Sequence, residues 1–111
     1  MVNIAIVEDD KLQAVQLEDA LKRYSEEFRT PLKVTVFHNA MAFLGKYSAE
    51  YDIVFMDILM PMMNGMDAAR VLREKDEKVM VIFVTNMQQY AIQGYEVGAF
   101  DFILKPVSYP E

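Results

Sequence analysis

Apolar positions along the chain follow two spacings that take turns. Asn3-Ile4-Ala5-Ile6-Val7, Ile53-Val54-Phe55-Met56 and Val79-Met80-Val81-Ile82-Phe83-Val84 are apolar runs without polar alternation. Such runs predict strands covered on both faces, as in the middle of a parallel sheet. Leu32-Lys33-Val34-Thr35-Val36-Phe37 alternates instead, which predicts a strand with one wetter side at a sheet edge. Phe100-Asp101-Phe102-Ile103-Leu104 predicts a last strand. Between these runs the spacing becomes helical. Leu17, Leu21, Tyr24 and Phe28 recur at steps of four, three and four, which places them on one face of a helix from Lys11 to about Phe28. Lys11, Glu18, Lys22, Arg23 and Glu26 fall elsewhere on it, and Thr30-Pro31 ends it. Asn39 can cap a short helix from Ala40 to about Tyr47. Gly65 to about Lys75 is helical with Met66, Ala69 and Leu72 inward. Met87 to Val97 is a further helix, with Tyr90, Ala91, Gly94 and Tyr95 on related faces, which Gly94 weakens.

Strand and helix patterns therefore alternate through the whole chain. This predicts one α/β domain over residues 1–111, a doubly wound parallel sheet with helices on both faces and right-handed crossovers. Ser108-Tyr109-Pro110-Glu111 has the Ser-x-x-Glu spacing of a capping box with proline in the first turn. A last helix is expected to start there and to be truncated. The flank of the sheet beside the first helix would then stay uncovered, which predicts self-association, as a homodimer or a swapped assembly.

Composition narrows the chemistry. A 53% hydrophobic content in 111 residues is enough for a real core, and 25% charged residues with 12% aromatics argue against disorder. The chain has no cysteine, which excludes disulfides, thiolate metal sites and cysteine nucleophiles together. No apolar run approaches the ~18 residues of a membrane span. The first apolar run is too short for a signal peptide and passes straight into acids. A net charge of -6 makes the chain on its own a poor binder of phosphate backbones, so a nucleic-acid role would need another domain. The nine methionines read as adaptable packing.

Chemistry gathers where the strands end. The first strand runs into Glu8-Asp9-Asp10, the central one into Asp57, the fourth into Thr85 and the fifth into Lys105. In a parallel sheet these exits share one edge, the edge at which open α/β sheets bind ligands. After Asp57 comes a turn, Ile58-Leu59-Met60-Pro61-Met62-Met63-Asn64-Gly65, in which Pro61 fixes φ and Asn64-Gly65 tolerate left-handed backbone. Three carboxylates at one edge would repel one another unless a cation compensates. A hard divalent ion with oxygen ligands is the natural partner, and magnesium keeps room for a phosphate oxygen. An aspartate can act as nucleophile toward phosphorus, and a cation, an amine and a hydroxyl suit the charge of the transferred group. Simpler readings stand beside these. An acidic run after a strand is often a solvated first helical turn, and Asp10 reads as the cap of the first helix. Phe102 has plain core packing as its alternative. His38, the only histidine, reads as a surface or turn residue away from the acids, and not as a phosphocarrier.

Val7-Glu8-Asp9-Asp10, Met56-Asp57-Ile58-Leu59-Met60-Pro61 with Gly65, Val84-Thr85 and Lys105-Pro106 together resemble the receiver domain of two-component response regulators. Each motif alone is common; the four in this order carry the resemblance, which covers essentially the whole chain. The stretch from Tyr90 to Val107 further resembles receivers whose output is a LytTR-type DNA-binding domain. The resemblance implies a flavodoxin-like (CheY-like) five-stranded sheet of order 2-1-3-4-5. It implies a cytoplasmic signalling protein rather than an enzyme. Asp57 would accept a phosphoryl group from the phosphohistidine of a sensor histidine kinase. The domain would assist its own phosphorylation and dephosphorylation, and would switch an output domain, absent here, that regulates transcription.

Residue by residue, the resemblance makes Glu8 and Asp9 the acidic pair for Mg2+, or Mn2+ in its place, with Asp9 the direct ligand. Asp57 and the backbone carbonyl of Leu59 complete that set. Thr85 would swing to a phosphate oxygen, Phe102 would change rotamer with it, and Lys105 would pair with the phosphate, its peptide bond to Pro106 being cis. The switched surface would be the fourth helix, fifth strand and fifth helix. Two departures stand out. Asn86 sits where many receivers carry a smaller residue, and Leu59 and Met87 are apolar near the hydrolytic water. Two other functions compete. An aspartyl phosphohydrolase would want a second acid two residues after the nucleophile, where this chain has Leu59. A pseudo-receiver, a pure interaction module, should lack one of Asp9, Asp57 or Lys105, and all three are present.

Overall fold

The computed structural model describes residues 1–85 and 101–104. Its elements are β1 (Val2–Val7), α1 (Lys11–Phe28), β2 (Leu32–Phe37), α2 (Ala40–Gly45), β3 (Ile53–Met56), α3 (Gly65–Lys75), β4 (Met80–Thr85) and β5 (Asp101–Leu104). All neighbouring strands pair in parallel, in the order β2-β1-β3-β4-β5. The expected strand order is therefore present, with the alternating strand β2 at the edge, and strands and helices alternate as expected as far as β4. The helix predicted for Met87 to Val97, the residues Asn86, Lys105 and Pro106, and the truncated helix predicted at 108–111 lie outside the described residues. Among the described residues no helix is long and apolar enough to cross a membrane.

The continuous apolar runs form strands because both faces of the sheet are covered. Successive side chains point to opposite faces. Ala5, Val7, Val54, Met56, Val81 and Phe83 face one core with Phe43 and Leu44 of α2 and Met66, Ala69 and Leu72 of α3. Ile4, Ile6, Phe55 and Val84 face the other, with Leu17 of α1 and the half-buried Leu21, Val34 and Ile82 packed against them. Full burial of a side chain as large as Phe43, Phe83 or Leu72 contributes roughly 1.5–3 kcal/mol. The three inward positions read for α3, Met66, Ala69 and Leu72, are all buried.

On α1 the apolar stripe is only partly used. Ala14 and Leu17 are buried, but Tyr24 and Phe28 are exposed and stack on each other with ring centroids 4.8 Å apart. The reason is length. Eighteen helical residues rise about 27 Å, whereas a six-residue strand spans about 20 Å. The last turns of α1 outrun the sheet, so spacing alone overstated the inward face.

The helix starts follow capping chemistry. Asp10 accepts the Gln13 N–H at 3.1 Å, Asn39 the Ala42 N–H at 2.7 Å and Asn64 the Asp67 N–H at 2.9 Å. The turn after β3 departs from the expectation in one respect. Asn64 is extended backbone (φ -76°, ψ 167°) and serves as the cap of α3. The left-handed residue of the turn is Met62, at φ 71°. Asn64 cannot supply both a left-handed bend and a capping oxygen in extended backbone, and the cap prevails.

Candidate functional site

The strand register builds the site. Val7 of β1 pairs with Met56 of β3, so Glu8 and Asp57 leave the sheet side by side. The ladder continues one step beyond the strands. The Asp57 N–H donates to the Val7 carbonyl at 3.0 Å, and the Glu8 N–H to the Phe37 carbonyl at 2.9 Å. Both backbones are thus fixed by sheet hydrogen bonds where their side chains turn to chemistry. Glu8 is 5% exposed and Asp57 7%; they are the two buried charged side chains among the described residues. Asp9 follows on the first turn of loop and is exposed. One carboxylate oxygen from each of Glu8, Asp9 and Asp57 lies within 4.8 Å of the other two. Asp10, the fourth acid, is turned away to cap α1, as expected.

The turn after Asp57 is held from both sides. Ile58 and Met60 are buried, while Leu59 and Met62 point outward, 48% and 96% exposed. The Gly65 N–H closes the turn onto the Ile58 carbonyl at 2.7 Å. Gly65 is required by close approach: a Cβ there would collide with the backbone carbonyl of Asp57. The outward side chain of Leu59 leaves its peptide as the only polar group it can offer the cluster.

The other expected participants are placed by strand position. Thr85 is the last residue of β4 and pairs with Leu104, and Phe102 of β5 pairs with Phe83. The side chains of Thr85 and Phe102, and the whole of Lys105, lie outside the described residues. His38 corrects the sequence reading. It is a surface residue, but it is not remote from the acids: its Nδ1 lies 3.0 Å from the Glu8 carbonyl oxygen. The signal was available, since β2 beside β1 puts the residue after β2 next to the residue after β1.

Like charges held this close, two of them shielded from water, repel strongly; a cation among them relieves the repulsion. The donors are all oxygen, which suits a hard ion such as magnesium and not a thiophilic one. Glu8, Asp9 and Asp57 therefore fit a divalent ion of that class.

Residues 4–111 match the family model described as "Response regulator receiver domain". The chain is 32% identical over 111 residues to the sensory transduction protein LytT of Oceanobacillus iheyensis, a match covering 96% of this chain and 43% of that protein. The chain thus spans less than half the length of this curated relative. Among solved structures, the non-phosphorylated HemR receiver domain from Leptospira biflexa superposes with a TM-score of 0.81 at 26% identity, covering 96% of this chain and 84% of that one. The BeF3-activated DrrB receiver domain superposes with a TM-score of 0.76 at 29% identity, covering 97% and 87%.

Proposed function

The chain belongs to the response regulator receiver domain family, and on that premise we propose that it is a phosphorelay acceptor with Asp57 as the phosphorylated residue. The observation that carries this reading is the convergence of the Glu8, Asp9 and Asp57 carboxylates, within 4.8 Å of one another where β1 and β3 end. An interaction module with no phosphoryl chemistry would not need three carboxylates gathered at the ends of two adjacent strands.

In this reading Glu8, Asp9 and Asp57, with the Leu59 backbone carbonyl, hold Mg2+. When bound, the ion neutralises charge on the oxygens of the phosphoryl group in transfer. The remaining roles belong to the chain. A carboxylate oxygen of Asp57 attacks phosphorus, and the P–N bond of the donor phosphohistidine breaks with its electron pair going to the imidazole. The ladder bond from the Asp57 N–H to the Val7 carbonyl orients the nucleophile, and Gly65 keeps its peptide close against α3. Lys105 pairs with the phosphorylated Asp57 and Thr85 donates a hydrogen bond to it, with Phe102 following Thr85. The added group brings roughly -1.5 to -2 charge, and that charge biases the surface read by the output domain. The partners are a sensor histidine kinase and a transcription-regulating output domain of the LytTR type. The LytT relative, more than twice the length of the match, supports such an arrangement.

The test is incubation with Mg2+ and acetyl phosphate followed by intact mass. One added phosphoryl group is expected, absent from Asp57→Asn and absent when EDTA replaces the metal. An unchanged mass in the folded wild-type chain would overturn this reading in favour of a pseudo-receiver.

A further inference from the structure

His38 lies where the sheet's own hydrogen bonding runs out. The ladder between β1 and β2 pairs Val7 with Phe37, and the Glu8 N–H still donates to the Phe37 carbonyl at 2.9 Å. The next bond of a parallel ladder would bring the Asn39 N–H to the Glu8 carbonyl. Among the described residues that bond is not made: the chain passes here into α2, with Asn39 as its cap and the Asn39 side chain accepting the Ala42 N–H at 2.7 Å. The Glu8 carbonyl instead meets Nδ1 of His38 at 3.0 Å. A carbonyl only accepts, so Nδ1 carries the hydrogen and donates. Imidazole thus takes over the ladder bond that the turn into α2 forfeits.

The Glu8 carbonyl shares one rigid peptide plane with the Asp9 N–H. Fixing that carbonyl fixes the plane, and with it the N–Cα bond on which the Asp9 side chain is carried. Glu8 itself is already held by its ladder bond and its burial. Asp9 is exposed, one residue past the end of the sheet, with nothing comparable in its own backbone pairing. We propose that His38 is a positioning residue for the acidic pair: by donating to the Glu8 carbonyl it sets the Glu8–Asp9 peptide and so aims Asp9 at the metal position. This rests on the reading of Glu8, Asp9 and Asp57 as the metal cluster. The role uses only the Nδ1 hydrogen, which the neutral Nδ1–H tautomer and the imidazolium both carry.

The experiment compares wild type, His38→Ala and His38→Asn, whose side-chain amide nitrogen falls near the place of Nδ1. Mg2+ affinity is read directly by calorimetric titration, and melting is followed without metal. Losing one hydrogen bond of ordinary strength that positions a ligand corresponds to about a fivefold weaker Mg2+ affinity in His38→Ala. His38→Asn should return to within about twofold of wild type, while the metal-free melting temperature falls in His38→Ala and less in His38→Asn. Wild-type affinity in His38→Ala overturns the proposal. So does equal weakening in both variants accompanied by equal loss of metal-free stability, which would make the role structural. Absence of any Mg2+ binding by the wild-type chain would instead overturn the metal-cluster reading, and the His38 role with it.

Discussion

The two ends of the sheet treat their acids in opposite ways. At the amino end, carboxylates face donors. Asp76 Oδ2 accepts the Tyr47 hydroxyl at 2.6 Å, and its Oδ1 accepts the N–H groups of Lys78 at 2.9 Å and Val79 at 3.2 Å. Asp52 Oδ2 accepts the Asn3 N–H at 2.8 Å. Arg73 closes the same corner by donating to the Val79 carbonyl at 2.6 Å. At the carboxyl end, Glu8, Asp9 and Asp57 face one another. The first arrangement tightens the fold and has no chemistry left over. The second gathers three acids at one point, an arrangement that a cation would relieve, as the proposed function requires. The acids at the amino end are spread among backbone and hydroxyl donors, whereas three at the carboxyl end converge on one another.

The largest effect expected from this contrast is qualitative. Asp57→Asn should lose all phosphoryl incorporation from acetyl phosphate, whereas Asp52→Asn, the same change at the other end of the same strand, should keep it in full by intact mass. Full incorporation in Asp57→Asn would erase the distinction. Next, Asp76→Ala should leave three donors without their acceptor and cost about 2 kcal/mol, seen as melting about 10 °C lower.

Tyr47→Phe should cost about 1 kcal/mol at neutral pH, and the loss should depend on pH in a stated direction. The Tyr47 hydroxyl is the foremost reason that the Asp76 carboxyl sits below its ordinary value of 3.8, with the backbone N–H groups and Arg73 assisting. A carboxyl with a lowered folded-state pKa stabilises the protein above its unfolded value and loses that contribution as pH falls through the folded one. The gap in melting temperature between wild type and Tyr47→Phe should therefore be full above about pH 4 and shrink below it. Tyr47 itself is pushed well above the usual phenol value, first by burial and then by Asp76, so at neutral pH it remains a donor. The smallest effect has the opposite sign. Asp9→Asn should raise the melting temperature of the metal-free chain, by on the order of 1 °C, because it removes a repelling charge. The same variant should lose the stabilisation that Mg2+ gives the wild type. A fall in metal-free stability would show that Asp9 has donors of the amino-end kind.

This contrast also explains what could be read from residues alone. The strands were legible because burial on both faces leaves an unbroken apolar run, and the carboxyl end was legible because each run stops abruptly at a polar residue. Parallel pairing then brings Glu8 beside Asp57 without further information. The amino end was not legible. Tyr47 follows α2 and Asp76 follows α3, 29 residues apart, and no periodicity links two loop residues that meet only after both helices have packed. Met62 escaped for a related reason: nothing in a methionine announces positive φ, and the neighbouring Asn64-Gly65 offered a more obvious place for it. His38 was misplaced because the end of β2 was read as remote from the acids, although the expected order itself puts β2 beside β1. For Tyr24 and Phe28 the helical period was right, but period says nothing about where the sheet beneath the helix ends.

Gly65 has a mechanical consequence. With no side chain between them, the start of α3 and the peptide of Asp57 touch, and the 2.7 Å bond from the Gly65 N–H to the Ile58 carbonyl stitches the contact shut. Loop and helix form a single stiff block that has no slack with which to cushion a disturbance at the tip of Asp57. Whatever yields when that carboxylate changes must therefore be a neighbour across the rim, and a larger residue at position 65 would loosen the anvil before it altered the hammer.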